Sequence, residues 1–217
     1  MKLTFIGADH EVTGSCHYIE VGNKKLVVDC GMEQGKDIYV NQELPVMPGE
    51  LDYIFVTHAH IDHTGLIPLM VKRGFKGQIF ATKATCDLCN IMLRDSAHIQ
   101  EFEAEWKNRK AKRADKDLYE PIYNMEDAVA ACELLVPIDY DSEVKICDEI
   151  SVKYIDAGHL LGSSSIKMTL RENGVVRTIG FSGDIGNIHK PIIKDPISFD
   201  DVDYLSRLLL TYNMITL

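Results

Sequence analysis

The sequence is poor in positive charge, in cysteine and in long apolar runs, and each shortage removes a class of protein. Lysine and arginine number 23 against 33 aspartates and glutamates, a net charge of −10, so the chain as a whole repels phosphate backbones unless bound cations or a local basic patch reverse the field. Bulk charge therefore makes no case for nucleic-acid binding. Six cysteines in 217 residues are too few for a small disulfide scaffold. Met1 to His10 has no basic segment leading into a long apolar one, so no secretory signal is visible and a reduced, cytoplasmic setting is expected. The longest uncharged apolar stretches, such as Gly65 to Val71, fall far short of the ~20 residues needed to span a bilayer, which excludes a transmembrane helix. Internal repeats and Pro/Gly/Ser-rich linkers are also missing, so one domain over residues 1–217 is the simplest organisation. Cys86 and Cys89 form a lone CxxC in a helical pattern, which reads as two packed thiols rather than a zinc knuckle.

What is present is ordinary folded composition, 46% hydrophobic and 26% charged. Lys2 to Ile6, Cys16 to Val21 and Lys25 to Asp29 alternate like strands around glycine turns and open the chain as a β-meander. Asp52 to Thr57 reads as a buried strand, and His63 to Arg73 carries Leu66, Ile67, Leu69 and Met70 on a helical period. A helical insertion is predicted at about 85–135: Thr85 to Ala114 has helix-forming composition with Glu103/Lys107 and Glu105/Arg109 at i,i+4. Asn124 then caps a second helix whose apolar face is Met125, Val129, Cys132 and Leu135. Strand signals return at Glu143 to Ile146, Ile150 to Ile155, Ser165 to Leu170 and Val175 to Phe181, with Glu172-Asn173-Gly174 as a hairpin turn. The class is α/β.

His58, His60, Asp62 and His63 form an HxHxDH cluster immediately after the buried strand. Neutral imidazoles and a carboxylate are ligands that divalent zinc, iron or manganese accept, and alternate residues of an extended segment project to one side, so His58 and His60 can chelate together. The turn that follows offers Asp62 and His63 to a second ion. More distant ligands are needed, and His159 in DAGHLLGSSS and Asp184 in FSGDIG both follow predicted strands, with small neighbours that allow close backbone approach. Asp29, in LVVDCG, is a strand-end carboxylate of the type that orients a metal-bound histidine, or an Asx turn before Gly31. His10, His17, His98 and His189 have no ligand spacing, although His10 and His189 lie in loops beside the motifs. Lys107 to Lys116 holds six basic residues against Asp115 and reads as a solvated helix face that could also touch an RNA backbone.

Asp29, the HxHxDH cluster, His159 and Asp184 resemble the first four motifs of the metallo-β-lactamase superfamily. VTGSCHYIE, HLLGSSS, FSGDIGN and RDSAHIQEFEAEW resemble its β-CASP branch of RNA-processing metallohydrolases. The resemblance covers about Met1 to Leu205. It implies an αββα metallo-β-lactamase sandwich and two divalent metal ions, zinc being the expected identity. His58, His60 and His159 would hold one ion, Asp62 and His63 the other, and Asp184 would bridge them. It further implies a phosphodiesterase that attacks single-stranded RNA with a di-metal-activated hydroxide, Asp62 and Asp184 being the catalytic carboxylates. The last residues, SRLLLTYNMITL, depart from the family's Glu-Ser-Thr-Tyr-Gly motif and the β-CASP domain that follows it. The expectation is therefore a sandwich incomplete at its C-terminus, without the β-CASP domain, and a truncated, weakened enzyme. A thioester or lactone hydrolase using the same metals, or a metal-binding fragment without activity, are the alternatives.

Overall fold

The structure is a computed structural model that describes residues 1–7, 13–34, 43–113, 117–199 and 201–206. His10, the Asp115–Lys116 end of the basic stretch and the divergent C-terminal residues from Arg207 onward lie outside the described residues.

Two sheets face each other. The first contains β1 (Lys2–Gly7), β2 (Cys16–Val21), β3 (Lys24–Val28), β4 (Tyr53–Phe55), β5 (Gln78–Thr82) and β6 (Leu135–Ile138), hydrogen-bonded in that order. Its first three strands are the expected antiparallel meander, and β3 to β6 run parallel. The second contains β7 (Glu143–Lys145), β8 (Ile150–Asp156), β9 (Ser164–Glu172), β10 (Val175–Phe181) and β11 (Tyr204–Ser206) in the order β11-β10-β9-β8-β7. Asn173 and Gly174 both have positive φ, 51° and 75°, the requirement of the two-residue type I′ turn that joins β9 to β10.

The period of two along each strand divides the core. Leu26, Val28 and Phe55 face the second sheet and meet Val152, Tyr154, Ile166, Met168 and Phe181. Their neighbours Val27, Ile54 and Val56 face outward and are covered by Ile67, Met70 and Phe75. β4 is thus buried on both faces, which is why it reads as a continuous apolar run rather than an alternating one. The covering helices are α1 (Ile61–Thr64), α2 (Ile67–Lys72), α3 (Lys83–Arg113) and α4 (Met125–Glu133). All four lie on the first sheet's side, so helix, sheet and sheet form three layers of the αββα arrangement among the described residues.

The helical insertion is the crossover between the parallel strands β5 and β6. Asn124 caps α4 as expected: its side chain accepts from Asp127 N at 2.9 Å while the Asp127 carboxylate accepts from Asn124 N at 3.0 Å. Cys89 packs with Leu93, Ala97, Tyr123 and Ala128 between α3 and α4, and all six cysteines are free thiols, in line with the packed-thiol reading of CxxC. Two strands depart from expectation. β5 was not anticipated from its five residues, and Leu135, placed by periodicity on the apolar face of α4, instead begins β6 after the helix stops at Glu133. Pro137 cannot continue a helix, and it fits β6 because that strand is a sheet edge where a missing N–H is tolerated. Along α3, Lys107 and Arg109 pair with Glu103 and Glu105 at 3.3 and 3.7 Å, and Lys110 lies over the Trp106 ring, as on a solvated helix face. Among the described residues no helix is long and apolar enough to cross a membrane.

Candidate metal centre

The HxHxDH segment leaves β4 and is fastened by the chain leaving β3 and by Ser15 just ahead of β2. Cys30 N donates to His63 O at 2.7 Å, Met32 N to Ile61 O at 3.0 Å and Ser15 N to Asp62 O at 2.9 Å. Gly31 makes this approach possible, because a Cβ there would stand 1.7 Å from the Asp62 carbonyl oxygen. From the second sheet, Ser164 donates both its N–H and its hydroxyl to Thr57 O, each at 2.8 Å. Ser163 Oγ accepts the N–H groups of His159 and Leu160 at 3.0 and 3.2 Å, and Gly183 (φ 53°) brings the turn before Asp184 against Thr57. Four strand ends, separate in sequence, are thereby held at one edge of the sandwich.

His58, His60, His159 and Asp184 place one potential ligand atom each within 4.8 Å of all the others. His60 Nδ1 lies 3.0 Å from His58 Nε2 and 3.3 Å from His159 Nε2, and Asp184 Oδ2 lies 3.7 and 3.4 Å from the same two nitrogens. Zinc bonds of ~2.0–2.1 Å in a tetrahedron require ligand atoms about 3.3 Å apart. The donor set and its spacing fit such an ion. A second observation agrees: Asp184 Oδ1 is buried without a hydrogen-bond partner among the described residues, an arrangement that is costly unless a cation completes it. His63 Nε2 faces that oxygen at 3.5 Å.

Asp29 and Thr57 fix which imidazole nitrogens remain available. The buried Asp29 carboxylate can only accept when ionised, and it takes Thr57 N–H at 2.8 Å, the Thr57 hydroxyl at 2.9 Å and His63 Nδ1 at 2.7 Å. With its proton committed to Asp29, the Thr57 hydroxyl accepts from His58 Nδ1 at 3.0 Å. The Nε2 atoms of His58 and His63 are then the ones left facing Asp184. Electrostatics point the same way. Burial, together with the imidazoles of His63, His60 and His159, pushes His58 well below its ordinary pKa. Burial also lowers His159, with Asp184 opposing and His60 and Lys190 assisting. Burial disfavours charge on Asp184, but the histidines, His63 foremost, hold it below the usual carboxylate range. His63 differs: burial alone would lower it, yet Asp29 and Asp184 outweigh that and raise it to about 10.

Of the residues singled out from sequence, His58, His60, His159 and Asp184 converge, and His63 and Asp29 adjoin them. Asp62 sits half-buried in the first turn of α1 and is outside the four-residue cluster. His17 is buried and bonded to Ser206 Oγ at 2.9 Å, His189 is exposed beside Asp195, and His98 is exposed on α3. Thr57, Ser163 and Ser164 were not anticipated, the only signal being hydroxyl residues beside the ligand motifs. Thr57→Val keeps the shape but strands the His58 N–H and removes one donor from Asp29. It is expected to cost about 1–3 kcal/mol of stability and about tenfold in metal affinity, measured by denaturant unfolding and metal titration.

A two-sheet sandwich with a histidine-rich cluster at one edge, of a kind that could hold a metal ion, defines a class, and sequence similarity places the chain in it. Residues 11–120 match the profile of the Metallo-beta-lactamase superfamily. The chain belongs to that superfamily. A Cronobacter sakazakii metallo-beta-lactamase shares the fold, with a TM-score of 0.50 and 14% identity over 87% of this chain and 62% of that one. Among curated proteins, a ribonuclease of Thermus thermophilus is 33% identical over 197 residues, covering 90% of this chain and 40% of the relative. The transcription termination factor FttA of Methanosarcina mazei is 29% identical over 192 residues, covering 85% of this chain and 27% of the relative. The chain thus spans less than half the length of these curated relatives. A relative named as a ribonuclease bears out the RNA-processing branch read from the flanking segments.

Proposed function

We propose that the chain carries the metal centre of a β-CASP-type phosphodiesterase that hydrolyses single-stranded RNA. The observation that carries this reading is the convergence of His58, His60, His159 and Asp184 on one point, in a chain whose curated relatives include a ribonuclease. His58, His60 and His159 would hold one divalent ion, Asp62 and His63 a second, with Asp184 shared between them and zinc the favoured identity from its donor set. Such ions, when bound, acidify water to near-neutral pH and neutralise phosphate charge, which answers the net charge of −10.

The protein's own groups do the rest. Asp29, directly and through Thr57, holds His63 and His58 in the tautomers that leave Nε2 free. Asp184 is kept ionised by the surrounding imidazoles, and Asp62, at the mouth of α1, is the carboxylate assigned to accept the nucleophile's proton. A reducing, cytoplasmic setting suits the six free thiols. The test is a substrate comparison on the metal-loaded protein. Single-stranded RNA or a generic phosphodiester is expected to be hydrolysed, and S-lactoylglutathione and lactones are not. Faster turnover of the thioester would assign the site to small-molecule hydrolysis, and no turnover with metal bound would leave a binding protein.

A further inference from the structure

Bound ions would neutralise the phosphate under attack, but the neighbouring phosphates of a polyanionic substrate still gain from a cation of the protein at the rim of the site. Lys190 is positioned to supply it. It lies six residues after Asp184, is half-buried, and its Nζ donates to the backbone oxygen of His159 at 3.3 Å. That contact puts its charge beside a proposed ligand, where it is felt at the His159 ring. An ammonium has three donors, and among the described residues one is occupied, at a long distance. Lys24, Lys25, Lys83 and Lys107 each pair with an acid, whereas no carboxylate pairs with Lys190 among the described residues. Ile188 and Leu161 reach solvent nearby, and the exposed His189 beside Lys190 engages the Asp195 carboxylate through both its ring and its backbone N–H. A half-buried lysine at the rim of the site, without a carboxylate partner among the described residues, keeps its charge available to an arriving anion.

We infer that Lys190 is the residue that grips a backbone phosphate of the RNA substrate, a positioning role beyond metal binding. The inference rests on the phosphodiesterase reading above. A lysine acts on phosphate as a point charge and needs no fixed fork geometry, so arginine should substitute for it and a neutral side chain should not. The competing role is mechanical, with Lys190 merely pinning its loop to His159. Lys190→Gln removes the charge and keeps a donor on a side chain one bond shorter, and zinc content read alongside reports whether the pin to His159 O has been lost.

The measurement is fluorescence anisotropy of the zinc-loaded chain with a cleavage-resistant 2′-O-methyl phosphorothioate oligoribonucleotide over a range of salt concentrations, with zinc content determined alongside. Releasing one phosphate contact on a single strand lowers the slope of log affinity against log salt by about 0.7, or about fivefold in affinity at 0.1 M salt. Lys190→Gln is expected to show both changes with zinc content unaltered, and Lys190→Arg is expected to restore both. An unchanged slope in Lys190→Gln, with wild type binding RNA, overturns the assignment and leaves the phosphodiesterase reading intact. Loss of zinc from Lys190→Gln also overturns it, in favour of loop pinning. Failure of the wild-type protein to bind RNA at low salt removes both readings together.

Discussion

Replacing His58 and His60 together with alanine is expected to abolish binding of the ion assigned to His58, His60 and His159, the largest single effect the structure predicts. The two residues supply His58 Nε2 and His60 Nδ1, 3.0 Å apart, and without them the cluster is reduced to His159 and Asp184. Catalytic zinc sites are built on three protein ligands, so a pair of groups from two loops falls below the minimum. Metal content by mass spectrometry and titration calorimetry provide the readout, with circular dichroism confirming the fold. His58 is buried, and its removal also leaves a cavity. The single variant His60→Ala, which leaves the buried His58 side chain in place, therefore serves as the control and should itself weaken binding strongly. Retention of metal at wild-type stoichiometry by the double variant would relocate the site.

The convergence of His58 and His60 was legible in the sequence because its cause is local: alternate histidines after a buried strand project to one side whatever the rest of the fold does. His159 and Asp184 were legible for a related reason, since each follows a strand whose apolar alternation is plain. What the sequence did not display were the groups whose partners are far along the chain. Thr57 matters through a carboxylate 28 residues earlier and a serine 107 residues later, and no periodicity announces such a crossing. Helix boundaries failed for the opposite reason. Leu135 continues the i,i+3 series of Val129 and Cys132, so the local pattern extended α4 across a residue that strand pairing with β5 claims. Asp29 was open between orienting carboxylate and turn residue because it is both. It lies at φ 58°, a conformation that Asp and Asn adopt more readily than other non-glycine residues, and it also bonds His63.

Asp29 variants are accordingly the second test with a large expected effect, and two of them separate its two roles. Asp29→Ala removes the carboxylate and disfavours the left-handed backbone, whereas Asp29→Asn tolerates that backbone and removes only the charge. Each is expected to leave metal bound but about 10–100-fold weaker, the usual consequence of losing the group that orients a metal-binding histidine. The metal-free protein offers an independent readout through pH. Asp29 and Asp184 raise His63 from its ordinary 6.5 to about 10. A base whose pKa is higher in the folded state stabilises that state fully below the unfolded value, and the stabilisation is lost as pH rises toward the folded value. Wild-type stability in denaturant should therefore decline between pH 7 and 9; the hydrogen bond with Cys30 together with burial raises the Cys16 thiol, and burial raises that of Cys89. In Asp29→Asn the decline should flatten, because His63 keeps only Asp184 to hold its proton. If Asp29→Asn matches wild type in both metal affinity and pH slope, the turn conformation is all that Asp29 provides, and the orientation of His63 rests on packing alone.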